Sequence, residues 1–169
     1  MNRASVWGGV AAIVACGFAT AAPAQHPPLQ LAQAPAAAAV LGSAQFSADP
    51  DLRCDLLEVK RVSGGALTIR WRVVNQTGAP GGLTGEAGKK IYYAFSWENL
   101  YYIDPAENKK YQFLTDAAGH RILDVYEGEY LPGQQRVQWA KFPAPPAGST
   151  KISIAIPKFA PFEDIPISP

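Results

Sequence analysis

The chain has 169 residues, of which 15 are Lys or Arg and 14 are Asp or Glu. Every acidic residue, and every basic residue except Arg3, lies from Asp49 onward. That part of the chain has no formal net charge, and interspersed signs exert no long-range attraction on nucleic acid or on an anionic membrane surface. We therefore expect no nucleic-acid partner. The length allows one domain of ordinary size with a separate N-terminal segment.

The first 24 residues have the pattern of an export signal. Arg3 supplies the positive start, residues 4–15 are apolar, and the small residues of Ala22-Pro23-Ala24 fit a cleavage site. The apolar stretch is too short, and too rich in Ala and Gly, to span a membrane, and no other segment approaches the length needed. We predict a signal peptide at residues 1–24, a periplasmic or extracellular location and no transmembrane span after export.

Cys16 suggests an alternative route of processing during export. Residues 13–16, IVAC, resemble a bacterial lipobox, in which the cysteine becomes the lipidated first residue of a membrane-tethered lipoprotein. In the other interpretation Cys16 is removed with the signal peptide, and the sequence leaves both open. Cys54 is the only other cysteine, so the domain has no internal disulfide. We expect Cys54 to be a buried small hydrophobe.

Residues 25–48 are rich in Ala, Pro and Gln and carry no charged side chain. The prolines in the first half prevent a continuous helix there. We predict a disordered linker over residues 25–48. The domain itself is then expected to occupy residues 49–169.

Strand-like alternation begins in the first part of the domain. Apolar and polar residues alternate over residues 67–73, the pattern of a strand with one face in a core. The turn residues Ser63-Gly64-Gly65 precede it, so residues 52–62 are the expected hairpin partner. Within that partner the apolar parity changes between Leu56 and Leu57, which predicts a β-bulge.

Turn residues separate the rest of the domain into further short strands. These are predicted at residues 100–103, 110–115, 122–126, 136–142 and 151–156, with an edge segment at 165–167 that contains a proline. Seven to nine short strands with no convincing helix are typical of an all-β fold, a single antiparallel sandwich. We expect Trp71, Trp139 and the isoleucines of residues 152–156 to form its core.

With the strands placed, several runs resemble those of a known family. The runs are residues 67–75, 102–111, 139–146 (WAKFPAPP) and 161–167 (PFEDIPI). They resemble a family of bacterial extracytoplasmic domains with an immunoglobulin-like β-sandwich fold, some of whose members lie beside OmpA-like domains. The resemblance covers roughly residues 52–167. It implies an immunoglobulin-like sandwich and, by analogy alone, a binding or accessory role in the cell envelope.

The sequence gives no strong sign of a cofactor or a metal ion. Residues 82–90 superficially resemble a phosphate loop, but the glycine spacing is one residue too long and Lys90 stands where Ser or Thr is needed. One histidine and one cysteine in the domain are too few for a zinc or copper site. Several oxygen donors lie in or beside turns without the spacing of a calcium loop. They are Asp104, Glu107, Asn108 and Asp116.

Catalytic groups are equally sparse. His120 lies in a turn, whereas Glu127 and Glu129 share a strand face with no other reactive group nearby. We therefore predict that the protein is not an enzyme. A secreted hydrolase is the least favoured alternative and would require these three side chains around one pocket.

Residues 92–102 form the segment with the clearest functional signal, because six of the eleven are aromatic. Adjacent residues of a strand point to opposite faces, so at least two of the rings should be exposed. The candidate contact residues are Tyr92, Tyr93, Trp97, Tyr101 and Tyr102. Such rings suit the core of a protein interface or stacking on sugars, although they would also serve simply to cover a sheet. We predict a non-enzymatic binding or assembly module that contacts an envelope protein, with a glycan- or peptidoglycan-binding module as the alternative.

Overall fold

A computed structural model describes residues 39–78 and 88–169. The predicted signal peptide, Cys16, residues 25–38 of the predicted linker and most of the 82–90 loop lie outside the described residues. The strands within them are β1 Gly42–Phe46, β2 Asp49–Val62, β3 Ala66–Asn75, β4 Ile91–Tyr93, β5 Tyr101–Asp104, β6 Lys109–Gln112, β7 Leu123–Asp124, β8 Gly128–Tyr130, β9 Gln135–Pro143, β10 Lys151–Ala155 and β11 Phe162–Pro166. A short 3₁₀ turn covers Trp97–Asn99.

The strands form an antiparallel β-sandwich, which confirms the predicted fold class. One sheet has the order β1-β2-β3-β9-β7 and the other has the order β11-β10-β5-β6. A two-stranded ribbon of β4 and β8 accompanies them and packs Tyr93 and Tyr130 into the core. Neighbouring strands run antiparallel throughout. Within the described residues no helix has the length and apolar character needed to cross a bilayer.

The β2–β3 hairpin follows the predicted pattern closely. The four apolar residues of the alternating run in β3 are buried, whereas the polar residues between them lie on the other face. The register of the β2–β3 pair shifts between Leu56 and Glu58, which leaves Leu57 as the extra residue of a bulge. The bulge lets both halves of a long strand keep their apolar residues on the core face.

The structure adds β1, β4 and β8 to the eight strands that the sequence predicts. β1 lies within the predicted linker, so the linker does not extend to residue 48 and the sandwich begins before Asp49. Its sequence, GSAQF, has no β-branched residue and only one aromatic residue, so its local strand signal is weak. It is a strand because it pairs with β2 and places Ala44 and Phe46 against the core.

Trp139 is the exception among the predicted core residues. Trp71 and the isoleucines of β10 are buried as expected, but β9 turns Ala140 and Phe142 inward and leaves Trp139 half-buried on the solvent side. The prediction that Trp139 is a core residue is therefore wrong. The buried position beside it belongs to Gln138, whose side-chain amide donates to the Tyr130 hydroxyl at 2.6 Å.

The predicted edge segment at residues 165–167 is also present. Its first part belongs to β11, the outermost strand of the four-stranded sheet. Beyond β11 the chain continues to the other sheet, where Ser168 forms a parallel bridge with Lys60 of β2. The Ser168 backbone N–H donates to the Val59 carbonyl at 2.8 Å, and the Arg61 N–H donates to the Ser168 carbonyl at 2.9 Å. These bonds cover the part of the β2 edge that β1 leaves open.

Candidate functional site

Two of the five candidate contact residues belong to the core. Tyr93 and Tyr102 are fully buried, and their hydroxyls donate to the carbonyls of Pro157 at 3.2 Å and Pro143 at 2.7 Å. Burial raises the pKa of both hydroxyls, so both remain protonated donors. The prediction that Tyr93 and Tyr102 contact a partner is therefore wrong, because strand alternation directs them inward.

The other three candidates reach the surface. Tyr92 is 66% exposed on β4, where it pairs with Glu129 of β8. Trp97 and Tyr101 are half-buried. Each of the latter two rings has a cationic side chain over it. We use the name aromatic rim for the surface formed by Trp97, Tyr101, Lys110, Phe113 and Arg121.

Trp97 is connected to the core through a series of ring contacts. The ring centroids of Tyr93 and Phe95 lie 5.2 Å apart, and those of Phe95 and Trp97 lie 4.9 Å apart in an edge-on arrangement. Phe113 follows at 6.3 Å from Trp97. The guanidinium carbon of Arg121 lies 4.8 Å from the centroid of the Trp97 ring, within cation–π range.

Tyr101 forms the second part of the rim. The Lys110 ammonium lies 3.8 Å from the centroid of the Tyr101 ring. Tyr101 pairs across the sheet with Gln112, whose side-chain amide contacts the Glu98 carbonyl at 3.4 Å. Since Glu98 follows Trp97 in the 3₁₀ turn, this contact joins the two parts of the rim.

The three candidate catalytic side chains have three different partners. His120 Nδ1 lies 3.1 Å from an Asp116 carboxylate oxygen. Glu127 accepts the Phe95 backbone N–H at 2.9 Å, and Glu129 lies 3.3 Å from the Lys90 ammonium. Glu127 therefore fixes the segment that leads to Trp97. The arrangement that a hydrolase would require of these three is not seen in the described residues.

The oxygen donors in turns bind neighbouring groups of the protein. Asp104 accepts the Ser149 hydroxyl at 2.5 Å and the Ala106 backbone N–H at 3.0 Å. Asp116 accepts the backbone N–H groups of His120 and Ala118, and these bonds, that of His120 above all, hold its pKa below the usual range. In the parts of the chain that the structure describes, no group of three or more His, Cys, Asp or Glu side chains could hold a metal ion. The predicted absence of a metal stays a prediction.

Cys54 is buried and unbridged, as expected. Burial, and to a lesser degree the neighbouring Asp55 charge, raises the pKa of its thiol well above the ordinary value. Burial and the raised pKa both disfavour the thiolate, which is the nucleophilic form.

Sequence reasoning missed Trp139 as a surface residue. It correctly placed Val137 and Trp139 on one face but assigned that face to the core. The signal lay further along the strand, where the apolar residues Ala140 and Phe142 flank Lys141 and predict the opposite register. Two register choices thus competed, and the local pattern alone does not decide between them.

No protein-family model, no curated protein and no solved structure matches the chain. The resemblance to extracytoplasmic immunoglobulin-like domains therefore stays a prediction.

Proposed function

We propose that the sandwich is a non-enzymatic binding module of the cell envelope and that its aromatic rim contacts a protein partner. The observation that supports this is the pairing of two half-buried rings at the surface with cations, Trp97 with Arg121 and Tyr101 with Lys110. Trp, Tyr and Arg are the residues most enriched where protein interfaces concentrate their binding free energy.

The rim is also preorganised. The ring contacts that lead from Tyr93 to Trp97 hold the indole in place, and a cation over a ring retains less rotamer freedom than one in open solvent. Less conformational entropy is then lost when a partner binds. A rim of this kind favours a specific partner over indiscriminate adsorption.

The same geometry favours a protein over a glycan. Sugars stack on the open face of an aromatic ring, whereas Lys110 and Arg121 occupy a face of Tyr101 and Trp97. A glycan would have to displace these cations before stacking. A protein partner instead gains from them, because carboxylates and carbonyls accept their N–H donors.

The location in the envelope follows from the predicted signal peptide at residues 1–24 and from the family resemblance. Lipidation at Cys16 is the alternative to cleavage after Ala24. Mass spectrometry of the mature N-terminus distinguishes them, because a lipidated Cys16 and a free residue 25 give different peptides.

The experiment is affinity capture from envelope extract with the full chain and with Trp97→Ala and Tyr101→Ala variants. We expect each variant to lose the specific partner by about tenfold in quantitative mass spectrometry. Leu131→Ala is the control, since Leu131 is an exposed apolar residue outside the rim. An unchanged partner set with a folded Trp97→Ala variant would exclude the aromatic rim as the contact surface.

A second experiment tests the glycan alternative. Co-sedimentation of the wild-type chain with purified cell-wall sacculi, lost in the same variants, would show that the glycan alternative is correct.

A further inference from the structure

The solvent-facing side of the five-stranded sheet is a second unusual surface, which we call the outer sheet face. Its centre is formed by Arg70 and Arg72 of β3. Directly across the strand pairs, Arg70 faces Trp139 and Arg72 faces Val137 on β9. The outer side of a solvated sheet is normally polar. Here a half-buried tryptophan and a valine that is 48% exposed lie side by side on one strand.

The arginines of this face are fixed by a buried carboxylate. Asp55 is only 1% exposed and accepts Nη2 of Arg72 at 2.7 Å and the Ser43 hydroxyl at 2.8 Å. The Arg53 guanidinium spans it, with Nε 2.8 Å from one oxygen and Nη2 3.2 Å from the other. Burial opposes ionisation of Asp55, but the hydrogen bonds from Arg72, Ser43 and Arg53 outweigh it and lower its pKa. The carboxylate thus holds two guanidinium groups against the sheet at neutral pH.

Arg70 retains most of its hydrogen-bonding capacity. Its side chain is 50% exposed, and its only ion pair in the described residues is with Glu58 at 3.5 Å. A guanidinium has five N–H donors, so most of them remain available beside Trp139. Arg70 and Trp139 together offer an apolar surface next to a half-exposed guanidinium group.

The outer sheet face is positively charged, although the domain as a whole is neutral. The strand registers place five basic side chains on this face: Arg53, Lys60, Arg70, Arg72 and Lys141. Its acidic side chains are Asp55, Glu58 and Asp124. Five cations against three carboxylates leave this face with a formal charge of +2, Asp55 included. Two copies of this face would repel each other, whereas an acidic surface would be attracted.

We propose that the outer sheet face docks an acidic surface of a partner protein, with carboxylates on Arg70 and Lys141 and an apolar side chain against Trp139 and Val137. This interaction is independent of the aromatic rim. Charge complementarity selects the partner, and the Trp139 and Arg70 pair supplies the residue types that dominate interface energetics.

The test measures binding of the full chain to a random glutamate–tyrosine copolymer by biolayer interferometry. The decisive variants are Val137→Asp, which changes an exposed side chain, and Arg70→Glu. We expect each to raise the Kd about tenfold. We also expect wild-type binding to weaken as added salt shortens the Debye length from about 10 Å to about 3 Å.

The controls make comparable chemical changes outside the strands of the five-stranded sheet. Leu131→Asp alters an apolar residue that is 48% exposed, as Val137 is, and Lys158→Glu removes an exposed cation. Both should keep the wild-type Kd within about twofold. Equal loss of binding in Val137→Asp and Leu131→Asp would overturn the proposal, as would copolymer binding that neither decisive variant changes. Stronger binding of the wild type to anionic lipid vesicles than to the copolymer would assign the face to a membrane instead. A dimer in sedimentation equilibrium that Val137→Asp dissociates would assign it to a second copy.

Discussion

Trp71 and Trp139 lie on neighbouring strands of one sheet and have opposite roles. Trp71, on β3, is 1% exposed and faces the core, where its cross-strand partner is Gln138. Trp139, on β9, faces solvent, and its cross-strand partner is Arg70. In both cases a tryptophan is paired with a polar residue, but only the register decides which side of the sheet the pair occupies. The comparison shows that residue type alone does not identify a core position.

The largest expected effect is on stability, and it distinguishes the two tryptophans directly. Trp71→Ala should lower the free energy of unfolding by roughly 3 to 5 kcal/mol, because it leaves a cavity between the sheets. Trp139→Ala should cost at most about 1 kcal/mol, because solvent already reaches that side chain. Urea denaturation followed by circular dichroism measures both. Equal losses for the two variants would contradict the assignment of faces.

The Asp55→Ala variant tests whether interactions on the solvent side of the sheet contribute to the free energy of unfolding. Asp55→Ala leaves the guanidinium groups of Arg53 and Arg72 without their carboxylate, so we expect a loss of about 1 to 3 kcal/mol, reduced from the fully buried case because both arginines are about a third exposed. Glu58→Ala, which removes the long ion pair to Arg70, should change stability by less than about 0.5 kcal/mol. The same denaturation experiment measures both. A Glu58→Ala loss as large as that of Asp55→Ala would show that burial is not the cause.

The Asp55 interaction also predicts a pH dependence. Its folded pKa lies below its unfolded value, so its contribution is complete above the unfolded pKa, about 3.9. The contribution is lost as the pH falls from there through the lower folded value. Acid denaturation monitored by near-ultraviolet circular dichroism should therefore be less steep for Asp55→Asn than for wild type. Identical acid transitions for Asp55→Asn and wild type would show that folding does not lower the pKa of Asp55.

The smallest expected effect concerns the two adjacent tyrosines of β5. Tyr102→Phe removes a hydrogen bond to the Pro143 carbonyl and should cost about 1 kcal/mol. Tyr101→Phe keeps the ring beneath Lys110 and should be nearly neutral for stability. Thermal unfolding distinguishes them. A larger loss of stability for Tyr101→Phe than for Tyr102→Phe would contradict the assignment of Tyr102 to the core.

The parts of the fold that local sequence predicted are those with strong local signals. The alternation of residues 67–73 and the parity change at Leu57 are visible in the chain itself, and both are confirmed. The hairpin of β5 and β6 follows from turn residues in the same way, and its loop is closed by the Ala106 N–H on Asp104.

The parts that could not be predicted depend on distant pairing. β1 forms because β2 offers it an edge, and β4 and β8 are three residues long and stabilise each other. Alternation predicted that one tyrosine of each adjacent pair would be exposed, but not which one. That choice follows from the packing of Tyr93 against Tyr130 and of Tyr102 against Tyr111. The rim cations are likewise brought to their rings by folding, since Trp97 and Arg121 are far apart in sequence.

The bridge between Ser168 and Lys60 covers a strand edge that could otherwise pair with another molecule. An open strand edge is a template for another chain, and β2 is long enough to offer one beyond the end of β1. Ser168 occupies that position and forms hydrogen bonds with the Val59 carbonyl and the Arg61 N–H of β2. Removing only Ser168 and Pro169 would keep Ile167, which packs against the core, but would leave this edge open to intermolecular β-structure. We expect amyloid-dye binding to rise in that variant while the monomer keeps its fold.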